Sequence, residues 1–164
     1  MTDNFIQLNK KNTLKIGIKD EDGNILNDYL EFDFNDSTIL LKYQEMIEKI
    51  QKSKSWLKNQ YMIIKKRQDV KGKKLLSKNE EDKLRADENF FKKQTENYNM
   101  FLGENGVQKL LNGRKLNWFT LVEIDEIIKN QIEPYLEKYR EDLTKKIKEK
   151  YLSAMNKEEI EVID

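Results

Sequence analysis

No cysteine and no histidine occur in these 164 residues. Their absence removes disulfides, thiolate nucleophiles, cysteine- or imidazole-bound zinc and histidine acid–base catalysis together. With one proline and six glycines, the chain has few points at which regular structure must break. Long apolar runs are also missing: nothing approaches the ~18 residues of a membrane span, and no apolar amino-terminal segment resembles a signal peptide. A cytoplasmic location is the expectation. Nor does one sign of charge dominate. Thirty-one basic residues face 30 acidic ones, for a net charge of +1, which argues against a protein built chiefly to hold nucleic acid, because phosphate binding draws on a surplus of Lys and Arg. The nucleophile elbow GxSxG, the phosphate loop GxxxxGK[ST] and a strand-linked GxGxxG are all lacking. Glu123, Asp125 and Glu126 cluster in sequence, but on a helix they point in different directions. No enzyme, no catalytic residue, no metal and no cofactor is therefore expected.

What the chain has is charge and helical pattern. Charged and hydrophobic residues each make up 37%, so little apolar surface serves a long chain. Extended helices with solvated outer faces suit that ratio better than a sandwich. The length fits a single domain, 1–164.

Near the start, Leu14, Ile16 and Ile18 alternate in TLKIGI, and Leu30, Phe32 and Phe34 alternate in YLEFDF. An Asp-Gly cluster, DEDGN at 20–24, separates them, so residues 13–34 form a β-hairpin. Its apolar face needs helices or a partner to lie on. Asp20, Asp22, Asn24 and Glu31 also match the spacing of a calcium loop, yet Ile25 stands where that loop needs glycine and the flanks are strands. An ordinary turn is the better reading.

Asn35 or Asp36 can cap a helix starting near Ser37. Leu40, Tyr43, Ile47, Ile50, Leu57, Tyr61 and Ile64 then recur at steps of three and four, with Lys54 the exception, which describes a helix of about 30 residues. Glu45 with Lys49 and Glu48 with Lys52 support its outer face. Seven basic residues and one acidic residue in Lys65 to Lys78 form a basic tip, turned at Gly72, before Ser77 and Glu80 open the next helix as a capping box. The second arm carries Leu84, Phe91, Tyr98 and Phe101 or Leu102, with Ala86, Phe90 and Gln94 beside them. Together, 37–102 is a long antiparallel helical hairpin.

Residues 103–116 hold Gly103, Gly106 and Gly113 around Val107, Leu110 and Leu111. We expect one helix to end, a short helix to form between the long ones, and Asn117 to cap a new long helix. Pro134 must kink that helix near Asn130 to Glu133. Tyr135, Leu136, Tyr139, Leu143, Ile147 and Tyr151 continue it to 152, with Glu141–Lys145 and Asp142–Lys146 pairs, and 153–164 is a loose acidic tail. The fold class is thus mainly α (α+β).

The runs LKYQ at 41–44, WLKNQYMIIKKRQDVKGKKLLSKNEEDKL at 56–84 and FLGENGVQKLLNGR at 101–114 resemble the tail assembly chaperones of phages and prophages of low-GC Gram-positive bacteria. The likeness spans residues 13 to 130, and the part after Pro134 extends beyond the family pattern. It implies a protein of the host cytoplasm that coats the tape-measure protein during virion morphogenesis, helps recruit tail-tube subunits and leaves before the particle is finished. A structural tail, connector or baseplate protein, or a nucleic-acid-binding regulator using the basic tip, are the competing readings. A partner surface, for a client or a second copy, is expected around Phe101, Leu102, Leu110, Leu111, Trp118 and Phe119; the alternative is that all six are core.

Overall fold

The computed structural model describes the backbone of residues 4–8 and 10–163, and their side chains except 146, 147 and 158–163. The fold is α+β and mainly helical, with an amino-terminal two-stranded sheet. Two compact units divide the chain, Met1–Leu116 and Asn117–Asp164.

In the first unit, β1 (Thr13–Lys19) pairs antiparallel with β2 (Ile25–Asp33), Leu14 facing Phe32 and Ile16 facing Leu30, with a register shift between Gly17 and Lys19. The Asp20 carboxylate closes the turn by accepting from the backbone N–H of Asp22 (3.0 Å) and Asn24 (2.8 Å) and from the Asn24 amide (3.2 Å). Its oxygens serve the turn itself. Those bonds, the Asn24 N–H foremost, hold its pKa below the usual carboxylate value. The hairpin's buried residues Ile18, Leu30 and Phe32 lie against helices, as the ring of Phe32 stacked on Phe101 (5.2 Å) makes plain.

Helix α1 (Thr38–Lys65) and helix α2 (Lys78–Leu102) form the antiparallel hairpin. Asp36 accepts from the Thr38 N–H (2.9 Å) at the first turn of α1. The capping box of Ser77 and Glu80 is present at the start of α2. The seam of α1 differs from the expected one. Ile39, Met46, Ile50, Ser53, Leu57 and Ile64 are its buried residues, so alternate positions shift by one from Leu40, Ile47 and Lys54 to Ile39, Met46 and Ser53. Lys54 is no exception to the stripe, because the stripe passes beside it. On α2 the buried set is Ala86, Phe90, Gln94, Asn97, Tyr98, Phe101 and Leu102. Leu84 is exposed and Phe91 half-buried, so the residues expected to flank the stripe are its centre. Lys49, expected to pair with Glu45, instead directs its Nζ to the Met100 sulfur (3.3 Å).

The hairpin tip is tied down. Asn79 donates its side-chain amide to the Ile64 carbonyl (3.2 Å), and its backbone N–H goes to Asp69 (3.0 Å). Arg67 and Lys78 both bridge to Asp82. Beyond α2, helix α3 (Gly106–Leu110) packs on the end of α2 and on β2. The turn that admits it uses Gly103 at φ +96°, a backbone region costly for any other residue.

In the second unit, α4 (Trp118–Ile127) is followed by a π-helical turn at 128–132, α5 (Glu133–Asp142), a second π-helical segment at 143–148 and α6 (Glu149–Ile163). The first π turn lies where the proline kink is expected. Pro134 has no N–H for the carbonyl four residues back and its ring would meet that oxygen, and widening to i→i+5 bonding relieves both. Nothing in the sequence explains the second segment. The tail is a correction: the backbone of 153–163 is helical, in keeping with its lack of glycine and proline and its run of Ala, Met, Lys and Glu. Ile147 and Lys146 lie outside the described side chains.

Candidate protein-binding faces

The six residues expected to form one partner surface divide between the two units. Phe101, Leu102 and Leu111 are buried and Leu110 is half-buried in the first unit. Phe101 is a hub: Phe32 stacks on one side and Tyr43 meets it edge-on, each 5.2 Å away. Phe101, Leu102 and Leu111 are core, and Leu110 is partly covered. The physical reason is the glycine-punctuated turn, which folds α3 back onto α2 so that its apolar side covers β2. Asn99 holds that turn by accepting from the Val107 N–H (2.8 Å).

Trp118 and Phe119 differ, being 45% and 84% exposed. The Asn117 side chain accepts from the N–H groups of Phe119 (2.9 Å) and Thr120 (3.0 Å), while Thr120 Oγ1 accepts from the Asn117 N–H (2.7 Å). That reciprocal cap fixes the rotation of the helix. Thr120, Leu121, Ile124 and Ile128 then face inward, and Phe119 turns outward with Val122 one turn on. Val122, also exposed, was not expected in the site; its signal is the i,i+3 spacing to Phe119. Exposed Glu123, Asp125 and Glu126 border the patch.

A second face belongs to the hairpin. Lys58, Tyr61, Met62 and Lys65 of α1 and Glu80, Lys83, Leu84 and Asp87 of α2, with Leu76 from the tip, line a groove of ≈ 580 Å³. Each helix contributes residues at i, i+3, i+4 and i+7, one continuous side. The Tyr61 hydroxyl donates to Asp87 across the groove. Burial and then this bond push the Tyr61 pKa well above its ordinary value. Sequence reasoning placed Leu84 and Tyr61 in the seam and passed over Met62 and Leu76, because an apolar residue at a seam-like step is indistinguishable from core in a single sequence.

Among the described residues no group of acidic side chains is placed to hold a metal ion. No helix among them is long and apolar enough to cross a membrane. The arrangement is suited to holding other helices. Comparison with family models, curated proteins and solved structures finds no match to this chain.

Proposed function

We propose that this chain is a non-enzymatic assembly factor of the tail assembly chaperone kind, which offers the outer face of α4 to an amphipathic helix of a tape-measure protein and helps bring tail-tube subunits to it. The single observation that supports this most is Phe119, 84% exposed at the start of a helix whose opposite side is buried. An exposed phenyl ring forgoes roughly 1.5–3 kcal/mol of burial free energy, and a partner's apolar stripe recovers it. The resemblance of residues 13 to 130 to that family supports the identity of the client.

Co-expression with the tape-measure protein of the same phage or prophage tests the reading. Wild-type chain keeps that client soluble and is recovered in complex with it; Phe119→Asp stays folded by circular dichroism and loses the complex. A Phe119→Asp chain that binds as well as wild type removes α4 from the site. Mass spectrometry of purified tails separates the chaperone from a structural protein, since abundant copies in the particle would overturn the transient role.

A further inference from the structure

The hairpin groove is charged as well as apolar, with Lys58, Lys65 and Lys83 set against Glu80 and Asp87. Its two carboxylates are engaged within the chain: Asp87 receives the Tyr61 hydroxyl and Glu80 accepts from the Ser77 N–H (3.3 Å). Among the described residues Lys58, Lys65 and Lys83 form no ion pair within 4 Å, although Asp69 lies near enough to Lys83 to feel its charge. Met62 and Leu84 are exposed between those lysines, Leu84 by 54%. At its tip end the groove runs into Lys65–Lys78, with seven basic residues and one acidic; Arg67 and Lys78 among them are paired with Asp82.

Helix α6 has the opposite character. Tyr151, Leu152 and Met155 are exposed at i, i+1 and i+4, one apolar side of a helical turn. The sequence that follows, KEEIEVID at 157–164, carries four carboxylates and one lysine. The apolar turn therefore precedes an acidic one, as the apolar groove precedes a basic tip. From Lys58 to Lys65 is two helical turns, about 10 Å, the same span as Tyr151 to Glu158.

We infer that the groove between α1 and α2 is the seat of helix α6 from a second copy of this chain. Leu152 and Met155 lie over Met62 and Leu84, and the acidic end of α6 runs toward Lys65 and the basic tip. That direction also sets the negative end of the α6 helix dipole beside the lysines. Each copy has one groove and one α6, so reciprocal exchange closes a two-fold dimer. The inference is independent of the client reading for α4, and its test contains no client.

The native chain lacks cysteine, so introduced thiols report without background. Full-length chains bearing Leu84→Cys and Met155→Cys, one each, are mixed and mildly oxidised. A disulfide-linked dimer of the two is expected, at several times the yield obtained when Ser55→Cys, on the exposed side of α1, replaces Leu84→Cys. Light scattering of the wild type gives a dimer, and Leu84→Glu and Met155→Glu, with unchanged helical signal, are each monomeric. Dissociation is about tenfold easier in 1 M than in 0.1 M salt, because exposed charge pairs are screened. Equal cross-linking with the Ser55→Cys control, a wild-type monomer, or a doubly substituted chain that closes on itself as a monomer would each overturn the proposal.

Discussion

Gly106 shows how much a single hydrogen atom can decide. A Cβ built on it would stand 2.5 Å from the Leu102 Cβ, inside the closest approach of two carbons and against a side chain that is itself buried. The backbone there is locked by the Gly106 N–H to the Gly103 carbonyl (3.0 Å) and by Val107 to Asn99, so it cannot retreat without losing those bonds. Gly106→Ala should therefore destabilise the first unit by about 1–3 kcal/mol, the range of overpacked cores, and urea unfolding would show it as a lower midpoint. An unchanged midpoint would mean that α3 lifts off α2 at no cost. Glycine at this place was legible in the sequence as a sign of close approach. That Phe101, Leu102 and Leu111 around it were core, and Trp118 and Phe119 surface, was not. Spacing gives a residue's side of a helix, whereas exposure depends on which side another element covers.

At the scale of the element, the α1–α2 seam explains both what could be read and what could not. A period of three and four over 28 residues announces a packed helix whatever its phase, so the hairpin was visible. Its phase was misjudged because three of the true seam positions are polar. Asn97 Nδ2 donates to Gln94 Oε1 (2.8 Å), to Ser53 Oγ (3.0 Å) and to the Lys49 carbonyl (3.3 Å). An apolar template follows Ile47 and Lys54 past Met46 and Ser53, and hydrogen bonding across helices has no trace in hydropathy. Such a buried polar group fixes register at some expense of stability. Here the expense has an address: Gln94 Nε2 is buried with no hydrogen-bond partner. Gln94→Met removes that orphan donor and leaves Asn97 its bonds to Ser53 and Lys49. Since an unsatisfied buried group costs about 1–3 kcal/mol and the lost Asn97 bond returns about 1 kcal/mol, the variant should be more stable by on the order of 1 kcal/mol. A rise in the urea midpoint with an unchanged m-value would check it; a fall would show that the Gln94–Asn97 bond outweighs the orphan.

The whole molecule has a charge balance with an unusual gap. Without histidine or cysteine, no side chain has an ordinary pKa between those of the carboxylates and those of tyrosine and lysine, so folding stability should be flat from about pH 5.5 to 9. Both edges of that plateau follow from the structure. On the acid side the pKa values of Asp20, Asp36, Asp69, Glu81 and Asp82 lie below their ordinary values of 3.8 and 4.5. The leading causes are the backbone N–H of Asn24, of Thr38 and of Asn79, the Arg85 side chain, and Lys78, respectively. Folding thus favours their charged forms. The stability they add is present above those ordinary values and is lost as pH falls through the lower folded ones. On the alkaline side the sign reverses. The Tyr61 pKa is raised above 10.0 by burial and by Asp87, so its contribution is whole below pH 10 and declines as pH rises through the folded value. Melting temperatures followed by circular dichroism from pH 2.5 to 11.5 should show the plateau, an acid fall that Asp69→Asn makes shallower, and an alkaline fall that Tyr61→Phe makes shallower. A slope of one proton near pH 6.5 would contradict the gap, since no side chain in this chain has an ordinary pKa there. A Tyr61→Phe profile that matches the wild type above pH 10 would leave the hydroxyl across the groove without a role in stability.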